Sequence, residues 1–213
     1  MVARSDNSPE KSLSGLLPRT GEGIVIDIGT GDGRFVSVAA RANPSKFYIG
    51  IDASTKPLEK PSMKATRKPS KGGLPNALFV QAAVEDLPEE LDGVANEIHV
   101  HFPWGSLLRA VATGDKAILG SLRRLAASDC LLEIVIGVDV RRDAAELARL
   151  GIPQLSLTYI QDELIPKYGQ AGFEAVDHGV LGSADWKSLE TSWARKLQGN
   201  PNRTVFFFVF RVI

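Results

Sequence analysis

The chain has 213 residues, 44% of them hydrophobic and 23% charged, the composition of an ordinary folded domain long enough to bury a sizeable core. Lys plus Arg equals Asp plus Glu at 25 each, so no overall field draws the protein to nucleic acid, and any such binding must come from local patches. A lone cysteine, Cys130, excludes an internal disulfide, and the polar N-terminus carries neither a signal-peptide stretch nor a membrane span, which makes a cytoplasmic protein the expectation.

Residues 1–20 are rich in Ser, Pro, Asn and charge without periodicity and are expected to be a mobile lead-in, with a short turn near Leu13 to Leu17, ahead of a single domain over 21–213. Ile24 to Ile28 reads as a buried parallel strand that breaks into Gly29, Gly31 and Gly33, a tight turn bringing backbone N–H groups to a ligand at the start of a helix. Arg34 to Ala42 is that helix, ended by Asn43-Pro44, and Phe47 to Ile51 is a second strand ending in Asp52. A carboxylate at that place suits ribose hydroxyls. Asp27 and Asp32 flank the glycines and would repel a pyrophosphate, whereas a ligand carrying a sulfonium and an ammonium would be attracted. Strand, D-x-G-x-G-x-G turn and a next strand ending in Asp resemble the cofactor end of the S-adenosylmethionine-dependent methyltransferases.

Residues 55–68 should hold a helix with Lys56, Lys60, Lys64 and Lys68 in one basic stripe, although Pro57 and Pro61 predict a late start or a kink. Lys68 to Asn76 is a loop, and Ala77 to Ala82 and Asn96 to Phe102 are strands, the latter stopping at Pro103-Trp104-Gly105. Helical residues 106–127 break near Gly114. Asp129 to Val138 is a long strand, Arg141 to Leu150 and Gln161 to Gly172 are helices, Phe173 to Leu181 is a strand, Ser183 to Leu197 a helix carrying Trp186 and Trp193, and Thr204 to Val212 the last strand. The fold class is α/β, a Rossmann-like, seven-stranded, mostly parallel sheet with one antiparallel strand.

In such sheets ligands bind at the carboxyl ends of the strands, so the site is assembled from Asp27 to Gly33, Asp52, the residues after Ala82 including Ala83 and Glu85, and Phe102 to Ser106. Phe102-Pro103-Trp104-Gly105 stands where amino-directed nucleic-acid methyltransferases carry an Asp/Asn-Pro-Pro-aromatic motif. The proline and aromatic are kept and the amine-holding side chain is not, which suits a stacked base whose reacting atom needs no such partner. No cysteine stands near this strand end for cytosine C5 chemistry, and His99 with His101 lack a third ligand in sequence, so no metal is implied.

Asp27-Ile-Gly-Thr-Gly-Asp-Gly-Arg, Ile49-Gly-Ile-Asp52, Lys68-Pro-Ser-Lys-Gly-Gly-Leu-Pro-Asn76, Phe102-Pro-Trp-Gly-Ser-Leu-Leu108 and Glu190-Thr-Ser-Trp-Ala-Arg-Lys-Leu197 together resemble the aminoglycoside-resistance 16S rRNA (adenine-N1) methyltransferases of the kanamycin–apramycin type. The resemblance implies methylation of N1 of adenine 1408 in the assembled 30S subunit by a monomer using S-adenosyl-L-methionine. It implies that Asp27, Gly29, Gly31, Asp32, Asp52, Ala83, Glu85 and Ser106 line the cofactor site. Trp104 and Trp193 would sandwich the flipped adenine, with Phe102 beside them and Thr191 orienting the helix of Trp193. Arg67, Lys68, Lys71, Arg195, Lys196 and Arg203 would grip rRNA phosphates. A tRNA (guanine-N7) methyltransferase, similar in Asn43-Pro44 to Ile51 and in a Phe-Pro turn, and a non-catalytic RNA-binding module that kept the fold stand as alternatives.

Overall fold

The apolar runs become strands and the segments between them cover both faces. The structure, a computed structural model, describes residues 3–4, 13–17, 23–182, 185, 190–197 and 202–213. In chain order its strands are β1 (Ala3–Arg4), β2 (Ile24–Ile28), β3 (Phe47–Asp52), β4 (Ala77–Gln81), β5 (Ala95–His101), β6 (Ala126–Val138), β7 (Phe173–Val180) and β8 (Thr204–Val212). Its helices are α1 (Arg34–Ala42), α2 (Thr55–Ala65), α3 (Gly105–Thr113), α4 (Lys116–Leu125), α5 (Ala144–Arg149), α6 (Leu157–Tyr159), α7 (Ile165–Gln170) and α8 (Ser192–Leu197). A wide turn over Ile160–Leu164 joins α6 to α7.

The strands order as β1-β4-β3-β2-β5-β6-β8-β7. From β1 to β6 neighbours run parallel, and β8 lies antiparallel between β6 and β7. Among the described residues the expected seven strands are present, and the two-residue β1 adds an eighth at the edge, within the stretch read from sequence as a lead-in. Ile26, Ile49, Ile98, Leu132, Ile134 and Ile136 are wholly buried, each stabilising the fold by about 1.5–3 kcal/mol relative to exposure. Among the described residues no helix is long and apolar enough to cross a membrane.

Three of the element boundaries that differ from the sequence reading have a local reason. The helix α2 runs from Thr55 straight through Pro61. Pro57 stands in its first turn, where an N–H has no intrahelical acceptor, and Pro61 is buried with its Cβ against the glycine turn at Gly33. Strand β6 begins at Ala126, which already pairs with Ala95 of β5; Asp129 then adopts a left-handed conformation (φ 60°), a conformation Asp tolerates, and the register with β5 shifts between Ala126 and Leu131, where pairing resumes. Helix α5 begins only at Ala144, since the Asp139 carboxylate accepts the N–H groups of Arg141 and Arg142 at 3.1 Å and holds them in a turn. Of the helix expected over Ser183 to Leu197, α8 is observed, and Trp186 lies outside the described residues.

Candidate functional site

The glycine turn is held from below by its neighbour strand. Gly29 and Thr30 donate their N–H groups to the Ile51 carbonyl, at 2.8 and 3.0 Å, and Gly31 donates to Asp52 Oδ2 at 2.9 Å. Asp52 Oδ1 accepts from the Ser54 N–H at 2.8 Å. Each carboxylate oxygen thus fixes one backbone segment and keeps lone-pair capacity toward the space above. A side chain on Gly33 would strike Phe79, while at Gly31 (φ 57°) a Cβ would meet nothing within 4 Å, because that glycine faces open space. The turn is therefore packed beneath and bare above, the form backbone takes where a ligand approaches closely.

A cavity of about 340 Å³ lies over the turn at the carboxyl ends of β2 to β5. Gly29, Gly31, Asp52, Ala82, Val84, Glu85, Phe102, Trp104, Ser106 and Trp193 line it; Ala83 does not, its neighbours on either side doing so instead. A second cavity of about 250 Å³ shares Gly29, Gly31 and Trp193 with the first and is lined by Asp27, Asp32, Arg34, His101 and Thr191. Among the described residues His101 Nδ1 and Arg34 Nε are buried without a hydrogen-bond partner, and both residues border this second space, so it suits a polar ligand. Asp27 is buried beside them. Burial raises its carboxyl above the usual range, and nearby His101 opposes that rise.

Trp104 and Trp193 stand at the mouth with 46% and 45% of their surface exposed. Their rings are nearly parallel, 16° between planes and 6.4 Å between centroids. Trp104 precedes α3 in extended conformation, and Phe102, two residues earlier, takes φ 49°, which ends β5 and turns its ring into a buried cluster with Val135, Ala194 and Val205. Ala194 is on α8, so the Phe102 ring packs under the helix that carries Trp193. Thr191 caps that helix, its Oγ1 accepting the Ala194 N–H at 2.9 Å.

Arg67, Lys68 and Lys71 are exposed on the loop after α2, and Arg195 and Lys196 are exposed on α8, with Lys196 Nζ 5.2 Å from the Trp193 ring centroid. Arg203 corrects the sequence expectation. Its guanidinium is buried, donates to the Gly137 carbonyl at 2.6 Å and pairs with Asp143 Oδ2 at 2.9 Å, so its charge is spent inside the protein.

The sequence reading also missed Glu133. On β6 it stands in register with His99, and its Oε1 meets His99 Nδ1 at 3.2 Å and His101 Nε2 at 2.5 Å. His99 Nε2 faces Glu97 at 3.5 Å, and Glu97 pairs with Lys46. His99, His101 and Glu133 are the described residues whose spacing, within 4.8 Å, could hold a metal ion, so the missing third ligand of the sequence reading is present in space. Burial alone would lower the His99 pKa, but hydrogen bonds to Glu133 and Glu97 raise it to about 9. The hydrogen bonds from His101 and then His99 hold the Glu133 carboxyl well below its ordinary range, and the bond from His99 lowers Glu97 to about 2. A carboxylate within the apolar run Leu131 to Val138, one strand from two alternating histidines, was the available signal. Cys130 is buried, which pushes its thiol up to about 12.

The profile of the 16S rRNA (adenine(1408)-N(1))-methyltransferases matches residues 9–210. A 16S rRNA (adenine(1408)-N(1))-methyltransferase of Escherichia coli is 37% identical over 184 residues, 86% of this chain and 84% of that one. The crystal structure of the aminoglycoside resistance methyltransferase NpmB1 superposes with a TM-score of 0.81 at 47% identity, covering 92% of this chain and 89% of that one. A mutant of the corresponding enzyme from Catenulisporales acidiphilia, solved with its cosubstrate SAM, superposes with a TM-score of 0.82 at 33% identity, covering 91% and 87%. By contrast a tRNA (guanine-N(7)-)-methyltransferase of Clostridioides difficile matches 48% of this chain at 28% identity.

Proposed function

Because the chain belongs to the 16S rRNA (adenine(1408)-N(1))-methyltransferase family, we propose that it acts as a monomer on the assembled 30S subunit, stacking the flipped adenine between Trp104 and Trp193. The observation that carries this reading is the parallel tryptophan pair at the mouth of the glycine-turn cavity. A base between two rings needs about 3.5 Å on each side, or about 7 Å in all, so the 6.4 Å between centroids requires a small opening. N1 lies on the Watson–Crick edge, and a base reacting there must leave its stack and be held by aromatic planes.

S-adenosylmethionine, when bound, supplies a methyl group made electrophilic by its sulfonium. Asp52 would hold ribose hydroxyls with its remaining lone pairs, and Glu85 with Ala82 and Val84 would flank an adenine ring. Asp27, at the second cavity, would face the ligand's ammonium end, a cation that offsets the burial of its carboxylate. The two cavities meet at Gly29, Gly31 and Trp193, which supports one ligand spanning both and a target base beside it. Adenine N1 carries its own lone pair, so the site needs no general base, and alignment of that atom by the tryptophans supplies most of the acceleration. Arg67, Lys68, Lys71, Arg195 and Lys196 would carry the phosphate contacts. Nucleoside mass spectrometry of 30S subunits treated with protein and SAM tests the reading: 1-methyladenosine is expected, and 7-methylguanosine or no new nucleoside contradicts it.

A further inference from the structure

The six-residue helix α8 is too short to hold itself, since isolated helices below about 12 residues are marginal in water. Its position is therefore set by what ties it down. Thr191 caps it and Ala194 shares a buried cluster with Phe102, but two further ties run to the glycine turn. The Ser192 hydroxyl donates to both oxygens of Asp32, at 2.9 and 2.6 Å, and Arg34 pairs with Glu190 at 2.8 Å. Trp193 follows Ser192 directly.

Resting on the stacking role of Trp193, we propose that Asp32 and Ser192 form a latch, assisted by Arg34 and Glu190, that fixes Trp193 against Trp104 in the free protein. Asp32 is then a positioning residue that acts through Ser192, and not a ligand of the cofactor as its place in the glycine motif suggests. The bond is exposed, so it contributes little to global stability; its effect is on where one ring stands. A displacement of that ring of about 1 Å lowers the rate of an aligned reaction by as much as about a hundredfold.

The test uses Ser192→Ala, Asp32→Ala, the double variant and Ser192→Thr in the full chain. Ser192→Ala and Asp32→Ala are each expected to lower kcat for 30S methylation about tenfold or more, with KM and the Kd for SAM within about threefold of the parent. The double variant should be no slower than the single ones, because both remove one interaction. Ser192→Thr, which keeps the hydroxyl, should restore most of the rate. Hydrogen exchange on the free protein reads the latch without rRNA: the amides of residues 194–196 should exchange at least about tenfold faster in both Ala variants, while those of β6 stay unchanged. Additive losses, a Ser192→Thr variant as slow as Ser192→Ala, a SAM affinity lost in Asp32→Ala alone, or parent-like exchange in the Ala variants would each overturn the latch. An inactive parent would contradict the stacking reading, and the exchange result would still decide the latch.

Discussion

Trp104 and Trp193 face each other across 6.4 Å with 16° between their planes, although they come from segments 89 residues apart and each is nearly half exposed. An exposed pair of large rings held parallel does little for the core, which is consistent with the proposed stacking of a base between them. Trp193→Ala should therefore leave the melting temperature and SAM affinity near the parent values. It should cut methylation about ten- to a hundredfold, the equivalent of roughly 1–3 kcal/mol of base stacking. Trp193→Phe should keep part of the activity. Thermal unfolding and 30S methylation on the same proteins check this, and a fall of many degrees in melting temperature would assign Trp193 to packing.

Asp52 carries two jobs, tying Gly31 and Ser54 through its oxygens while facing the cavity. Asp52→Ala should weaken SAM binding at least tenfold by isothermal titration, through lost charge-assisted bonds of about 1.5–3 kcal/mol each and a loosened turn. Unchanged affinity would remove Asp52 from the site.

The two kinds of basic residue should separate cleanly. Arg203→Ala leaves Asp143 buried without its partner, which costs about 3–5 kcal/mol and lowers the melting temperature of a chain this size by roughly 6 °C or more. Lys68→Glu with Lys71→Glu, both on the surface, should leave melting unchanged while weakening 30S binding and flattening its salt dependence. Equal melting of the Arg203 variant and the parent would contradict its buried role.

The His99 network makes stability depend on pH in two windows. His99 is raised from 6.5 to about 9, so the folded state binds the extra proton, and its contribution is full below pH 6.5 and lost as pH rises through 9. Glu97 is lowered from 4.5 to about 2, so its contribution is full above pH 4.5 and lost as pH falls toward 2, with Glu133 acting in the same direction. Unfolding free energies from urea titrations should be highest between about pH 5 and 6.5 and decline toward pH 9 by on the order of 1–3 kcal/mol. In His99→Asn the alkaline decline should be absent; a parent-like slope there would place its origin elsewhere.

Strands β2, β3 and β4 were readable because each is largely an apolar run, β5 because Ile98 and Val100 alternate with polar residues, and the glycine turn because its residues are contiguous from Ile24 to Gly33. Asp52 could be placed because strand β3 ends at it. Glu133 could not be joined to His99, since that contact depends on the register of β6 against β5, which shifts between Ala126 and Leu131. Arg203 looked like a surface cation because its partner Asp143 lies 60 residues away, in a turn shaped by Asp139. The ties from Ser192 and Glu190 to the glycine turn depend on how a six-residue helix docks, and no periodicity in six residues reports that.

The most direct measurement is primer extension across the decoding region of isolated 30S subunits incubated with the protein and SAM. A strong stop is expected at adenine 1408, because a methyl group on N1 blocks base pairing, and no stop when SAM is left out. Full-length extension through adenine 1408 with the parent protein, or a SAM-dependent stop at another nucleotide, would contradict it.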